Sequence, residues 1–70
     1  MAECLILRRE QFEELKQLTG YELANVLDAA LEYATQGTIR PIYNKTACAA
    51  FEKLREGINK DIMRGSYEKL

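Results

Sequence analysis

TGYELANVLDAALEYATQG, residues 19–37, is the stretch that decides the fold. Leu23, Val26, Leu27, Ala30, Leu31 and Ala34 recur at i, i+3, i+4, i+7, i+8 and i+11. That spacing draws one apolar stripe along a helix whose other face stays polar. Thr19 followed three residues later by Glu22 has the spacing of a capping box. Gly37 stands just past the last periodic residue, where a helix ends most cheaply in a left-handed turn. The reading is a helix specified at both ends, with the flanking segments obliged to cover its stripe.

On the N-terminal side, Cys4-Leu5-Ile6-Leu7 is a short apolar run, read as an extended segment lying on the helices. Arg8 and Arg9 end it, and read as solvated charge or as contacts to phosphate or an acidic partner. Phe12, Leu15 and Leu18 follow at helical spacing. Glu10, Glu13 and Glu14 suit the positive end of that helix's dipole.

On the C-terminal side, Pro41 disfavours helix at Arg40 and fixes a connection in which Ile39, Ile42 and Tyr43 are expected to tuck into the core. Asn44 is a good N-cap for what comes next. Ala47, Phe51, Leu54, Ile58 and Ile62 then form a second long amphipathic stripe, reaching toward Tyr67. Gly57 inside it suggests close packing of a neighbouring helix, and Gly65-Ser66 marks where the helix would fray or kink. A continuous last helix of some 24 residues would span roughly 36 Å, against roughly 25 Å for the central one. Its far end, Ile62, Met63, Tyr67 and Leu70, would then project as an apolar tip that invites a second chain.

The expected architecture is all-α: one domain over residues 1–70, three helices, a short extended N-terminal segment and a long C-terminal helix. Seventy residues bury only about 60% of the unfolded chain's surface, so such a domain is marginal alone. Homodimerisation or partner docking through the tip follows as an expectation. Ten basic and eleven acidic residues leave a net charge of −1, so no overall basic field attracts nucleic acid. Lys53, Lys60 and Arg64 do fall on one stripe of the last helix, a candidate contact to nucleic acid or an acidic partner. Glu52, Glu56, Asp61 and Glu68 are interleaved with them, which favours a solvated face.

The chain has no histidine, which removes Ser-His-Asp and Cys-His arrangements and metal sites built on imidazole. Its four glycines are isolated and form no phosphate-binding loop. No catalytic residue, cofactor or metal is expected. Two cysteines, Cys4 and Cys48, read as small buried thiols in a reducing cytoplasm. The apolar runs are too short for a membrane span or a signal peptide.

Certain words of the chain are similar to a known family. Phe12-Glu13-x-Leu15-Lys16-x-Leu18, Leu27-Asp28-Ala29-Ala30-Leu31-Glu32-Tyr33-Ala34 with Gly37, and Phe51, Leu54, Ile58 and Arg64…Tyr67 carry the likeness. They resemble a small helical domain family of unknown function from phages, prophages and gut-bacterial mobile elements, often the N-terminal part of replisome-organiser-like proteins. The resemblance implies a non-enzymatic phage or mobile-element protein in the host cytoplasm. It would dock on a host or defence protein, as an anti-defence inhibitor would. The alternative it implies is a replication accessory contacting DNA or a helicase loader.

Overall fold

A computed structural model describes residues 4–69, and among them there are three α-helices and no strand. The helices are α1 (Arg9–Leu15), α2 (Gly20–Gln36) and α3 (Lys45–Met63), followed by a single 3-10 turn, Ser66–Lys69. Residues 5–8 before α1 have no regular secondary structure, and Leu5 and Ile6 pack on the core.

α2 ends as its sequence dictates. Gly37 adopts φ +74° and its N–H donates to the Tyr33 carbonyl at 2.9 Å. The start of α2 differs from expectation. Thr19 makes no side-chain cap, because Gly20 at φ +54° turns the chain into the helix and Glu22 is engaged elsewhere. Its Oε1 accepts from Asn44 Nδ2 at 2.7 Å. Asn44 itself caps α3 as expected, its Oδ1 accepting from the Ala47 N–H at 2.9 Å.

The Glu22–Asn44 contact joins the first turns of α2 and α3, and a second contact joins their later turns. There the Tyr33 hydroxyl donates to Asn59 Oδ1 at 2.6 Å. α2 and α3 therefore run in the same direction. The connection between them must return the whole length of α2, about 25 Å for 17 residues. Residues 37–44 are eight, and extended chain covers that span at about 3.3 Å per residue. Arg40 clips this return to the outside of α2, with Nη1 2.9 Å from Asp28 Oδ2 and Nη2 2.8 Å from Glu32 Oε2. Hydrogen bonding to Asp28, the largest cause, and to Glu32 holds that guanidinium above its ordinary pKa. An extended chain running over a helix presents much of itself to water. Ile42 is half-buried, but Ile39 and Tyr43 are exposed, contrary to expectation.

The core between the parallel helices is built from small residues. Val26, Ala29, Ala30 and Ala34 of α2 meet Ala47, Ala50, Phe51, Leu54 and Ile58 of α3. Phe51 meets Tyr33 edge-to-face with ring centroids 6.4 Å apart. Leu31, assigned to the stripe by its spacing, lies at the margin and is exposed, while Ala29 is buried.

α1 packs on a different side of α3 and antiparallel to it, as the pairs Arg8–Asp61, Gln11–Gly57 and Glu14–Lys53 show. Gly57 leaves room for Gln11 here: a Cβ would overlap Gln11 Nε2 and stand 3.0 Å from Gln11 Cδ, so the Gln11 amide would have to shift. The buried face of α1 is Gln11 and Leu15, continued by Leu18, one position off the face that Phe12 marks. Phe12 is exposed, with the Lys16 ammonium 5.7 Å from its ring centroid.

The long last helix is corrected by the structure. α3 stops at Met63, and Gly65 at φ +74° turns the chain back, so that Tyr67 is buried rather than projecting. Nineteen residues give α3 about 28 Å, which fits inside the 32 Å longest dimension of the fold. The thiols also differ from expectation, Cys4 being exposed and Cys48 half-buried, both free. Among the described residues, no helix is long and apolar enough to cross a membrane.

Candidate functional site

Two surfaces bring together residues that the sequence singles out. The first is a cleft of about 390 Å³ along the seam of α1 and α3. It gathers Lys53, Lys60 and Arg64, the basic row, and adds Arg8 from the N-terminal segment. Glu10, Glu56 and Asp61 line the same cleft, so its charges nearly cancel. Most of the cations are also engaged. Lys53 Nζ lies 2.9 Å from Glu14 Oε1, and Arg64 Nη1 lies 4.0 Å from Asp61 Oδ1. Lys60 has no ion pair among the described residues.

The base of the cleft is the Arg8–Asp61 pair. Asp61 is almost fully buried, on the row of α3 that faces α1, and its carboxylate needs a partner there. Arg8 Nε sits 3.2 Å from each carboxylate oxygen, and Nη2 also donates to Oδ1. The hydrogen bond and the charge of Asp61 push the Arg8 guanidinium above its ordinary pKa. Arg8 is thus neither free charge nor an open partner contact, since it neutralises a buried carboxylate 53 residues away. Next to it, the Arg8 backbone N–H donates to Gln11 Oε1 at 2.7 Å. Buried Gln11 Nε2 has no hydrogen-bond partner among the described residues.

The second surface is the end of α3. Ile62 and Met63 are exposed, Met63 at 88%. Tyr67, expected beside them, is turned inward, and its hydroxyl accepts from the Ile6 N–H at 3.1 Å. Burial, the largest cause, raises the Tyr67 phenol above its ordinary pKa of 10. Leu70, the fourth residue of the expected tip, lies outside the described residues. Among the described residues, the expected tip keeps two exposed apolar side chains, Ile62 and Met63.

Sequence reasoning missed the burial of Asp61 and Gln11 and the pairing of Arg8 with Asp61. Gln11, Leu15 and Leu18 do share an i, i+4, i+7 face, which was a legible signal. Asp61 gave none, because Ile62 next to it completes the apolar spacing equally well. Among the described residues, no group of three or more Cys, Asp or Glu side chains is placed to hold a metal ion. No protein-family model matches the chain, and no curated protein and no solved structure is detectably similar to it.

Proposed function

We propose that this chain is a small non-enzymatic interaction protein that docks on another protein through the C-terminal turn of α3. The observation that carries this reading is the pair Ile62 and Met63. They stand exposed side by side at the end of the longest helix, while the buried slot of that turn is taken by Asp61. Apolar side chains gain by leaving water, and a second copy or a foreign protein would cover them equally well. The setting, a phage or mobile-element protein acting on a host or defence protein, rests on the resemblance of its helical words alone.

The test is a pull-down of the tagged chain from bacterial lysate with and without nuclease, beside light scattering of the purified protein. A stoichiometric protein band, or a dimer mass, that survives nuclease and is lost in Ile62→Asp/Met63→Asp supports the reading. Binding unaffected by that double substitution, or no partner and a monomer mass, refutes it.

One observation favours a second reading, contact with nucleic acid: the fold brings Lys53, Lys60, Arg64 and Arg8 to one cleft. Phosphate contacts release counterions, so binding of this kind would fall steeply between low and moderate salt. Apolar docking would not. The three carboxylates in the cleft weigh against the phosphate reading.

A further inference from the structure

The charges that line the cleft between α1 and α3 divide into those paired inside the fold and those left open. Arg8 is taken by Asp61, and Lys53 by Glu14. Glu10, Glu56 and Lys60 are exposed and have no ion pair among the described residues, and Arg64 approaches Asp61 only to 4.0 Å. Glu56 and Lys60 stand at i, i+4 in the favourable order, yet the structure leaves them apart. Two carboxylates therefore remain open, one on each helix, beside two cations at the C-terminal end of α3. Gln11 and Asp61, the least exposed of the lining residues, form the floor. Gln11 is 8% exposed, its Oε1 accepts from the Arg8 N–H, and its Nε2 is a donor with no hydrogen-bond partner among the described residues. A buried amide donor without an acceptor is costly, and native folds rarely leave one.

We propose that this cleft binds a small zwitterion of the amino-acid class, its carboxylate drawn to Lys60 and Arg64 and its ammonium to Glu10 and Glu56. The signs of the open charges select such a ligand. A purely anionic molecule meets the two open carboxylates, and a purely cationic one meets the two open cations, so each is repelled by part of the lining. A zwitterion finds an opposite charge for either end. A ligand carboxylate that reaches the floor also gives the Gln11 amide an acceptor. The volume, about 390 Å³, falls in the range of small-molecule sites, roughly 300–1,000 Å³. Because Glu10 belongs to α1 and the other three open charges to α3 and its cap, the site exists only when the two helices are packed. It stands whether or not another protein covers Ile62 and Met63.

Amide NMR spectra of the isotope-labelled full chain, titrated at constant ionic strength, read binding at Gly57 and Lys60. The probes are three zwitterions of increasing length, glycine, γ-aminobutyrate and ε-aminocaproate, with butyrate, inorganic phosphate and butylamine as single-sign controls. At least one zwitterion is expected to shift both amides saturably, and the controls to shift them less at equal concentration. Glu10→Gln and Lys60→Gln, both at exposed side chains, should each weaken that binding by about two- to fivefold, the scale of one exposed ion pair. Arg55→Gln, at a cation paired with Glu52 outside the cleft, should leave it unchanged. No saturable shift from any of the three zwitterions overturns the proposal. So does a control that binds as tightly as the best zwitterion, or undiminished affinity in both Glu10→Gln and Lys60→Gln.

Discussion

Tyr67 separates the folded-back C-terminus from a helix that runs on, and replacing its hydroxyl measures the difference. Tyr67→Phe keeps the buried ring and removes the acceptor of the Ile6 N–H, 61 residues away. A hydrogen bond of this kind contributes about 1 kcal/mol. In a domain of this size that lowers the melting temperature by roughly 4–8 °C, or the urea midpoint by about 1 M. Tyr67→Ala also removes the ring and should cost about 3–5 kcal/mol. The whole domain is worth only roughly 4–10 kcal/mol at its length, so that variant should be largely unfolded well below the parent's melting point. Tyr43, 93% exposed, is the matched control, and Tyr43→Phe and Tyr43→Ala should stay within about 0.5 kcal/mol of the parent. Thermal and urea melts followed by circular dichroism read all four variants. If Tyr67→Ala melts with Tyr43→Ala, Tyr67 is not in the core and the reversal at Gly65 is refuted.

Three further outcomes follow from the same packing. Because burial raises the Tyr67 pKa, this residue contributes stability that is complete below pH 10 and is lost as pH rises through its folded pKa. Alkaline melts should therefore show a stability loss that Tyr67→Phe lacks, and an identical loss in both proteins would refute it. Gly57→Ala should gain about 1 kcal/mol of helix propensity but displace the Gln11 amide that accepts from Arg8, losing about as much. In a Gln11→Ala background only the gain should remain, so a double-mutant cycle in urea that shows no coupling would contradict the packing of α1 on α3. Arg40→Ala should free the returning chain from α2, seen as faster proteolysis confined to residues 38–43. Cleavage no faster than in the parent would mean that the clip is idle.

The candidate surfaces were legible in the sequence only in part. Lys53, Lys60 and Arg64 share a helical row, and that row does line one cleft. Its neutralisation was half legible: Glu56 and Asp61 are near in sequence, but Glu14 and Glu10 arrive from α1. Ile62 and Met63 are exposed as the apolar tip required, whereas Tyr67 is not.

What the sequence determined by itself is local. The 3.6-residue recurrence of apolar side chains, the left-handed glycine at Gly37 and the Asn44 cap act within a few residues of one another, so three helices follow from short-range chemistry. The tertiary structure alone decided where those helices lie. The connection folds back so that α2 and α3 are parallel, and Arg40 clips it to two carboxylates on α2. Gln11 and Asp61 are buried because α1 approaches α3 at Gly57, and Arg8 then has a buried charge to meet. Gly65 permits either a frayed helix or a reversal. The choice is made by the burial of Tyr67 in the core and by its hydroxyl's hydrogen bond from the Ile6 N–H. Such terms join residues more than fifty apart in the chain, and no periodicity or spacing along the sequence records them.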